Sequence, residues 1–401
     1  MSDTNIRHRL PQQVILLGWV SLLADVSSEM IYPLIPLFLT GILGAPAIVL
    51  GLIEGASQLL VSAMSAYSGV RSDKSGKRAP FIRWGYGLPV LGKALLAAAT
   101  SWHLVLFGKA IDRFGKGLRG SPRDALIADS VRPEERGAAF GFHRMMDTAG
   151  ALLGVLIAAL FLSLLSGDAL SYRIIFGAAS FFALSSVAVA WFVKESDSGT
   201  PSAAALAGTA KNPKGVAPFG SRYWRTLVVL AFFGFANSSD TFLLLRASDV
   251  GLTPVQVVLA YALYNFGYSA LSYYGGTLSD RVGRWKVILA GWTIYAVVYA
   301  GFAMTGAHGI WYLFGLYGVY MALTEGVSKA LIVDCVPPER RGAALGVLYL
   351  ALGLTAISSN VLSGYLWDSV SKAAPFYMGA CFALLSVLGV LVSGLAKVER
   401  R

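Results

Sequence analysis

The chain has 401 residues, of which 56% are hydrophobic and only 14% charged, with a formal net charge of +11. With a mean hydropathy of +0.62, it carries more apolar surface than a globular core can hide, which excludes an ordinary soluble domain. The positive balance raises nucleic-acid binding as an alternative, but the basic residues are spread through short hairpins between apolar runs and form no single stripe, which excludes that class too.

Apolar runs of about 20 residues are long enough to cross about 30 Å of hydrocarbon as a helix. The chain has twelve, near residues 14–38, 46–68, 80–99, 103–127, 138–164, 172–193, 223–245, 254–275, 285–305, 309–333, 342–366 and 374–396. The predicted fold is therefore an all-α membrane protein with twelve transmembrane helices. Arg7-His8-Arg9 precede the first run, but Asp25 and Glu29 interrupt it and no small-residue cleavage site follows, so it is expected to be retained as span 1. Asp25 and Glu29 are four residues apart, share a face and repel when both are ionised, so one is expected to carry a proton. Span 2 holds Glu54 and runs into Gly69-Val70-Arg71-Ser72-Asp73-Lys74-Ser75-Gly76-Lys77-Arg78; span 3 holds Lys93.

Span 4 is the most charged. At 100° per residue Lys109, Asp112, Arg113, Lys116, Arg119, Arg123 and Asp124 fall on one face about 140° wide, which cannot face lipid and should line a central cavity. Arg119 and Arg123, toward the cytoplasmic end, can equally be solvated there. On span 5, His143-Arg144 and Asp147 lie one turn apart; Arg144 can contact an anionic substrate if Asp147 is drawn elsewhere. Lys194 to Arg222, rich in Ser, Gly, Pro and Ala, reads as a flexible linker.

Beyond the linker span 7 holds Asp240, span 8 runs into Gly276-Thr277-Leu278-Ser279-Asp280-Arg281-Val282-Gly283-Arg284, and span 10 holds the i,i+4 pair Glu325 and Lys329. Tyr32, Tyr261, Tyr264, Tyr268 and Trp19 are candidate cavity-lining aromatics and Asn265 a candidate polar lining residue, although interface belts and helix packing account for most membrane Tyr and Trp. Cys335 and Cys381 offer neither metal-ligand spacing nor a disulfide framework, and the four histidines are scattered, so no metal and no cofactor are expected.

The second hairpin copies the first. Asp73 aligns with Asp280, Asp129 with Asp334, Arg136-Gly137 with Arg341-Gly342, and Ser27-Ser28-Glu29 with Ser238-Ser239-Asp240, in one order and at nearly constant offset. Residues 1–193 and 223–401 are thus expected to be two six-helix bundles joined by the linker at 194–222. With an even number of spans in each, the repeat is parallel. Nearly all Lys and Arg outside the spans fall on the side bearing both hairpins, the linker and both termini; Arg173, Arg246 and Lys372 lie near the other. By the positive-inside rule the hairpin side is cytoplasmic, placing the chain in the cytoplasmic (inner) membrane.

These residues resemble the major facilitator superfamily, whose hairpin motif between spans 2 and 3 runs Gly-x-x-x-Asp-x-x-Gly-Arg-Arg/Lys. Gly69, Asp73, Gly76, Lys77 and Arg78 fit it, and so do Gly276, Asp280, Gly283, Arg284 and Lys286. Apart from the resemblance, the glycines, Asp73 and the basic residues can make contacts that form in one conformation and break in another, as gating loops would; alternatively the loops merely fix topology through positive charge, which would not require Asp73 and Asp280. Arg113-Phe114-Gly115-Lys116-Gly117 is similar to a span 4 pattern of proton-coupled exporters, and implies that Arg113 helps proton coupling. The exporters' span 5 pattern Gly-Pro-x-x-Gly-Gly is met only by Ala149-Gly150-Ala151-Leu152-Leu153-Gly154, without the proline or the double glycine, which leaves direction open.

Ionisable groups at bilayer depth cost about 2.5–3.5 kcal/mol each, so they face the bundle interior with partners or a function. The candidates for proton coupling or substrate contact are Asp25, Glu29, Glu54, Lys109, Asp112, Arg113, Lys116, Arg144, Asp147, Asp240, Glu325 and Lys329. Asp25 and Glu29 can alternatively be permanent counter-ions of Arg113 or Arg144. The expected function is secondary active transport of a small molecule by alternating access, coupled to protons and directed outward. Proton-coupled uptake of an organic anion is the alternative, and a non-transporting receptor a third reading. No nucleophile-base signature or nucleotide loop points to an enzyme or an ATP-driven pump. Partners are the solute, protons and lipid, and a twelve-span bundle can work as a monomer.

Overall fold

The computed structural model describes residues 11–131, 136–195, 219–336 and 341–395. Among them there is no strand. The helices are α1 (Gln12–Ile31), α2 (Ala47–Ser75), α3 (Ala79–Ala97), α4 (Trp102–Asp129), α5 (Arg136–Leu164), α6 (Ala169–Ala190), α7 (Ser221–Gly234), α8 (Asp240–Asp249), α9 (Pro254–Val282), α10 (Arg284–Met304), α11 (Ala307–Val333), α12 (Arg341–Ser369) and α13 (Ala374–Ser393). Eight of them are long and apolar enough to cross a membrane by length and composition. Large apolar side chains such as Tyr312 and Phe181, 78% and 66% exposed, cover the outer surface, as a lipid-facing bundle requires.

Three local features depart from the sequence reading. Span 1 does not stay α-helical to residue 38. Pro33 and Pro36 remove two donors, and the chain continues as a 3₁₀ turn at Tyr32–Leu34 and a π turn at Leu37–Ile42. Span 7 is two helices, α7 and α8, with residues 235–239 unwound between them. The hairpin motifs are mostly helix: α2 carries its motif to Ser75 and stops where Gly76 turns left-handed at φ +65°. In the second copy Gly283, at φ +101°, alone separates α9 from α10.

In the first half α1 packs on α5 and α6, and α4 on α2 and α3; in the second, α11 packs on α9 and α10, and α10 on α13. The halves meet where α2 packs on α12 and where α5 packs on α9. The repeat equates α2 with α9, the two motif carriers, and α5 with α12, the two helices that begin Arg-Gly-Ala-Ala. Exchanging the halves therefore turns one interface into the other, as a rotation relating two equivalent bundles must.

Glycine brings α2 and α12 close. A Cβ on Gly55 would stand 2.8 Å from Ile357 Cα, and one on Gly364 would stand 2.5 Å from the Ala47 carbonyl, a backbone contact that cannot give way. These approaches lie toward the face opposite the hairpins.

Candidate functional site

The charged stripe of α4 is divided among three neighbours. Lys109 is ion-paired with Glu54 of α2, both nearly buried, and its ammonium lies 5.7 Å from the centre of the Tyr32 ring. Asp112 is 3.7 Å from the ammonium of Lys93 on α3, which donates to Ser27 Oγ at 2.7 Å and Ser28 Oγ at 3.1 Å on α1. Arg119 is buried, donates to the Gly85 carbonyl at 3.2 Å and stacks 4.1 Å over Tyr86. Arg123 reaches Asp124 at 2.9 Å and Ser21 Oγ at 3.3 Å. Arg113 pairs with its neighbour Asp112 at 3.6 Å, while Lys116, two turns beyond Lys109 on the same stripe, is exposed. A lysine exposed at mid-span needs water within reach of its ammonium.

The second half answers with hydroxyls. Unwinding at 235–239 frees backbone groups that lipid could not satisfy, and each named here finds a side chain. The Phe235 carbonyl accepts from Ser359 Oγ at 3.0 Å, the Ala236 carbonyl from Tyr295 at 2.6 Å, and the Ser239 amide donates to Asn360 Oδ1 at 2.6 Å. Asp240 then opens α8, its two oxygens accepting from Tyr317 at 2.6 Å and Tyr264 at 3.2 Å. Between the halves lies a cavity of about 320 Å³ lined by Tyr32, Glu54, Arg113, Asn237, Asp240 and Asn360 among others. Tyr261 of α9 crosses the gap and donates to Glu29 Oε2 of α1 at 3.1 Å.

At the hairpin face the halves repeat one contact. Arg78 meets Asp129 at 2.9 Å, and Arg284 meets Asp334 at 2.7 Å, so each motif arginine ties its hairpin to the end of the fourth span of its own half, α4 or α11. The Glu195 carboxylate also caps the start of α3, accepting from the Arg78 and Ala79 amides.

The Major Facilitator Superfamily profile matches residues 17–246 and, again, 227–401. The chain belongs to the major facilitator superfamily. An uncharacterised MFS-type transporter of Methanocaldococcus jannaschii is 34% identical over 390 residues, covering 95% of each chain. The multidrug resistance protein MdtH of Cronobacter sakazakii is 25% identical over 367 residues, 90% of this chain and 87% of its own. Among crystal structures, a mutant of the nucleoside transporter NupG superposes with a TM-score of 0.76 at 13% identity, over 95% of this chain and 99% of that one. A D-xylose-proton symporter superposes with a TM-score of 0.76 at 16% identity, over 94% and 95%. These likenesses carry the two-bundle fold.

As a member of the superfamily the chain is a multi-pass membrane transporter, and its expected site residues fall into separate groups. Glu54, Lys109, Asp112 and Arg113 gather beside the central cavity. Asp147 is drawn to His143, 3.6 Å away, and so leaves Arg144 without it. Glu325 and Lys329 form their expected pair at 2.9 Å, with Tyr268 donating to the same carboxylate, well apart from Asp240. Gly69 is a close approach, its Cβ position 3.1 Å from Ser121, but Gly276 has open space and it is Gly275 that packs on Ala322. The Asp73 and Asp280 side chains lie outside the described residues.

Trp19 is 51% exposed and does not line the central cavity. Asn265 donates to the Tyr261 carbonyl of its own helix at 3.0 Å. Asn237, Asn360 and Tyr317 were not expected. The run Asn237-Ser238-Ser239-Asp240 did carry a signal, because these side chains compete with helix hydrogen bonds and favour a helix start.

Proposed function

We propose that this transporter exports a small molecule across the cytoplasmic membrane by alternating access, driven by protons that move inward through Asp25 and Glu29. What supports the reading is how its carboxylates are held. Glu54 and Asp112 each face a nearly buried lysine within ion-pair distance, Lys109 and Lys93 respectively. Asp25 has neither a hydrogen bond nor an ion pair among the described residues, and Glu29 is held only by the Tyr261 hydroxyl. A carboxylate locked to a buried cation cannot take a proton without stranding that cation. Asp25 and Glu29 can. The charges acting on Asp25 come from Asp147, Lys116, Arg119 and Arg123, a surrounding that a proton on Asp25 would change at once.

Since Glu29 belongs to one bundle and Tyr261 to the other, its proton is linked to their relative position. Residues 1–193 and 223–401 then act as rocking halves joined by 194–222, with both termini cytoplasmic and the monomer as working unit. The relatives named as multidrug resistance proteins favour export. The test is proton-driven movement of a dye panel in energised vesicles. Asp25→Asn and Glu29→Gln should fold normally, yet leave transport independent of the pH gradient. Wild-type coupling in both variants would reject the reading.

Uptake of an organic anion remains the second reading, because Arg113 lines the central cavity and Lys116, three residues further along α4, is exposed. In the same vesicles it predicts accumulation of benzoate with the proton gradient, where export predicts depletion of solute against it.

A further inference from the structure

A second cavity, of about 360 Å³, shares no lining residue with the central one. Its walls are α5 (Arg144, Thr148), α9 (Tyr268, Ser269, Ser272) and α11 (Glu325, Lys329). Arg144 lies eight residues into α5 and Lys329 four residues before the end of α11, so the space sits roughly 6–12 Å inside the hairpin face. A smaller chamber of about 140 Å³ adjoins both: it shares Glu325 and Lys329 with the outer cavity and Asn237 and Leu352 with the central one. The outer cavity therefore stands on the way to the centre.

Its chemistry is one-sided. Two cations, Arg144 and Lys329, face one carboxylate, Glu325, which is already engaged by Lys329 at 2.9 Å and by the Tyr268 hydroxyl. Arg144 is exposed into the space and has no carboxylate at ion-pair distance among the described residues. The Thr148 and Ser272 hydroxyls donate to the carbonyls of Arg144 and Tyr268, at 3.0 and 2.6 Å, and so offer only lone pairs. Donors left for a ligand are the Arg144 guanidinium, the remaining protons of Lys329 and the Ser269 hydroxyl.

We propose that this outer compartment is an anion site, distinct from the central cavity, which takes a single carboxylate or phosphate group on Arg144 and Lys329. A guanidinium presents a planar fork that matches both groups, and the ammonium closes the other side. The group can arrive on a soluble molecule or on an acidic lipid headgroup. The site is independent of proton coupling at Asp25 and Glu29.

The test is thermal unfolding of the intact purified protein in neutral detergent. It is titrated with sodium benzoate, with inorganic phosphate, and with phosphatidylglycerol against phosphatidylcholine, all against potassium chloride at equal ionic strength. Wild type should be stabilised by at least one anion beyond chloride. Arg144→Gln and Lys329→Gln should each raise the half-saturating concentration about tenfold or more, and Arg144→Lys by less, because a charged donor is lost or reshaped. Protection by benzoate or phosphate assigns a soluble ligand, and protection by phosphatidylglycerol alone assigns a lipid. If Arg144→Gln does not fold, Lys329→Gln and Arg144→Lys decide. Equal protection by chloride, unchanged titrations in the Arg144 and Lys329 variants, or loss only in Arg113→Gln would overturn the assignment.

Discussion

Asp368→Ala tests what holds the two halves together at the face away from the hairpins. Asp368, near the end of α12, accepts from the Ala47 amide at 2.9 Å and the Ile48 amide at 2.8 Å. A carboxylate of one half thus caps the first turn of α2 in the other, where Pro46 provides no side-chain cap of its own. The unpaired amides and the positive end of a helix favour an anion there. Replacing a capping Asp by Ala costs about 0.5–2 kcal/mol. Asp368 is exposed, and water screens the charge, so about 1 kcal/mol is the reasonable share.

Because donor and acceptor sit on different bundles, the contact exists only while the halves meet at this end. Its loss is then a shift of conformational equilibrium, and 1 kcal/mol corresponds to about fivefold in population. The assay places a single cysteine at Ser57, in the central cavity, in a background where Cys335 and Cys381 are serine. Modification by a membrane-impermeant thiol reagent is timed from each side of the membrane. Asp368→Ala should speed labelling about fivefold from the side away from the hairpins, and Asp368→Asn by less, since an amide oxygen still accepts. An unchanged rate in folded protein would refute the reasoning.

Lys109→Met removes one partner of a nearly buried pair and should destabilise by about 3–5 kcal/mol, while adding Glu54→Gln recovers a good part of it; additive losses in a thermal double-mutant cycle would contradict the pairing. Arg78→Gln should lower the melting temperature more than Arg284→Gln, because the Arg78–Asp129 side chains are 9% and 20% exposed and the Arg284–Asp334 side chains 21% and 45%. Asp168 caps α6 outside the spans, and hydrogen bonds from the Ser171 hydroxyl and amide hold its carboxyl below the ordinary carboxylate range. A depressed group stabilises the fold above its unfolded value and loses that contribution as pH falls, so a spin label at Leu170 should gain mobility below about pH 4, whereas in Asp168→Asn its mobility should stay flat.

The two-bundle fold was legible because hydropathy sets span number and the duplicated hairpin sets the repeat, and both are local patterns. The inward face of α4 was legible for the same reason, since a helix fixes which residues share a side. The partners that split that stripe were not. Lys109 selects Glu54 and Lys93 selects Ser27, Ser28 and Asp112 through helix packing that no spacing encodes. The repeat even misleads at one point: Ser27-Ser28-Glu29 and Ser238-Ser239-Asp240 align, yet the first stays helical and the second breaks.

The difference lies in what surrounds them. Position 237 is Asn where the first copy has Val26, and around the second copy Ser359, Asn360 and Tyr295 supply partners for the freed backbone. In the first copy Ser27 instead donates to the Ala179 carbonyl at 2.5 Å and accepts from Lys93, so its side chain has no call on its own backbone. Two aligned tripeptides, differing only in Glu29 and Asp240, thus lie in an unbroken helix on one side of the cavity and at a hydroxyl-lined break on the other. The central cavity therefore has unlike walls, with the Lys109–Glu54 and Arg113–Asp112 pairs on one side and a tyrosine-held Asp240 with the Asn237 and Asn360 amides on the other.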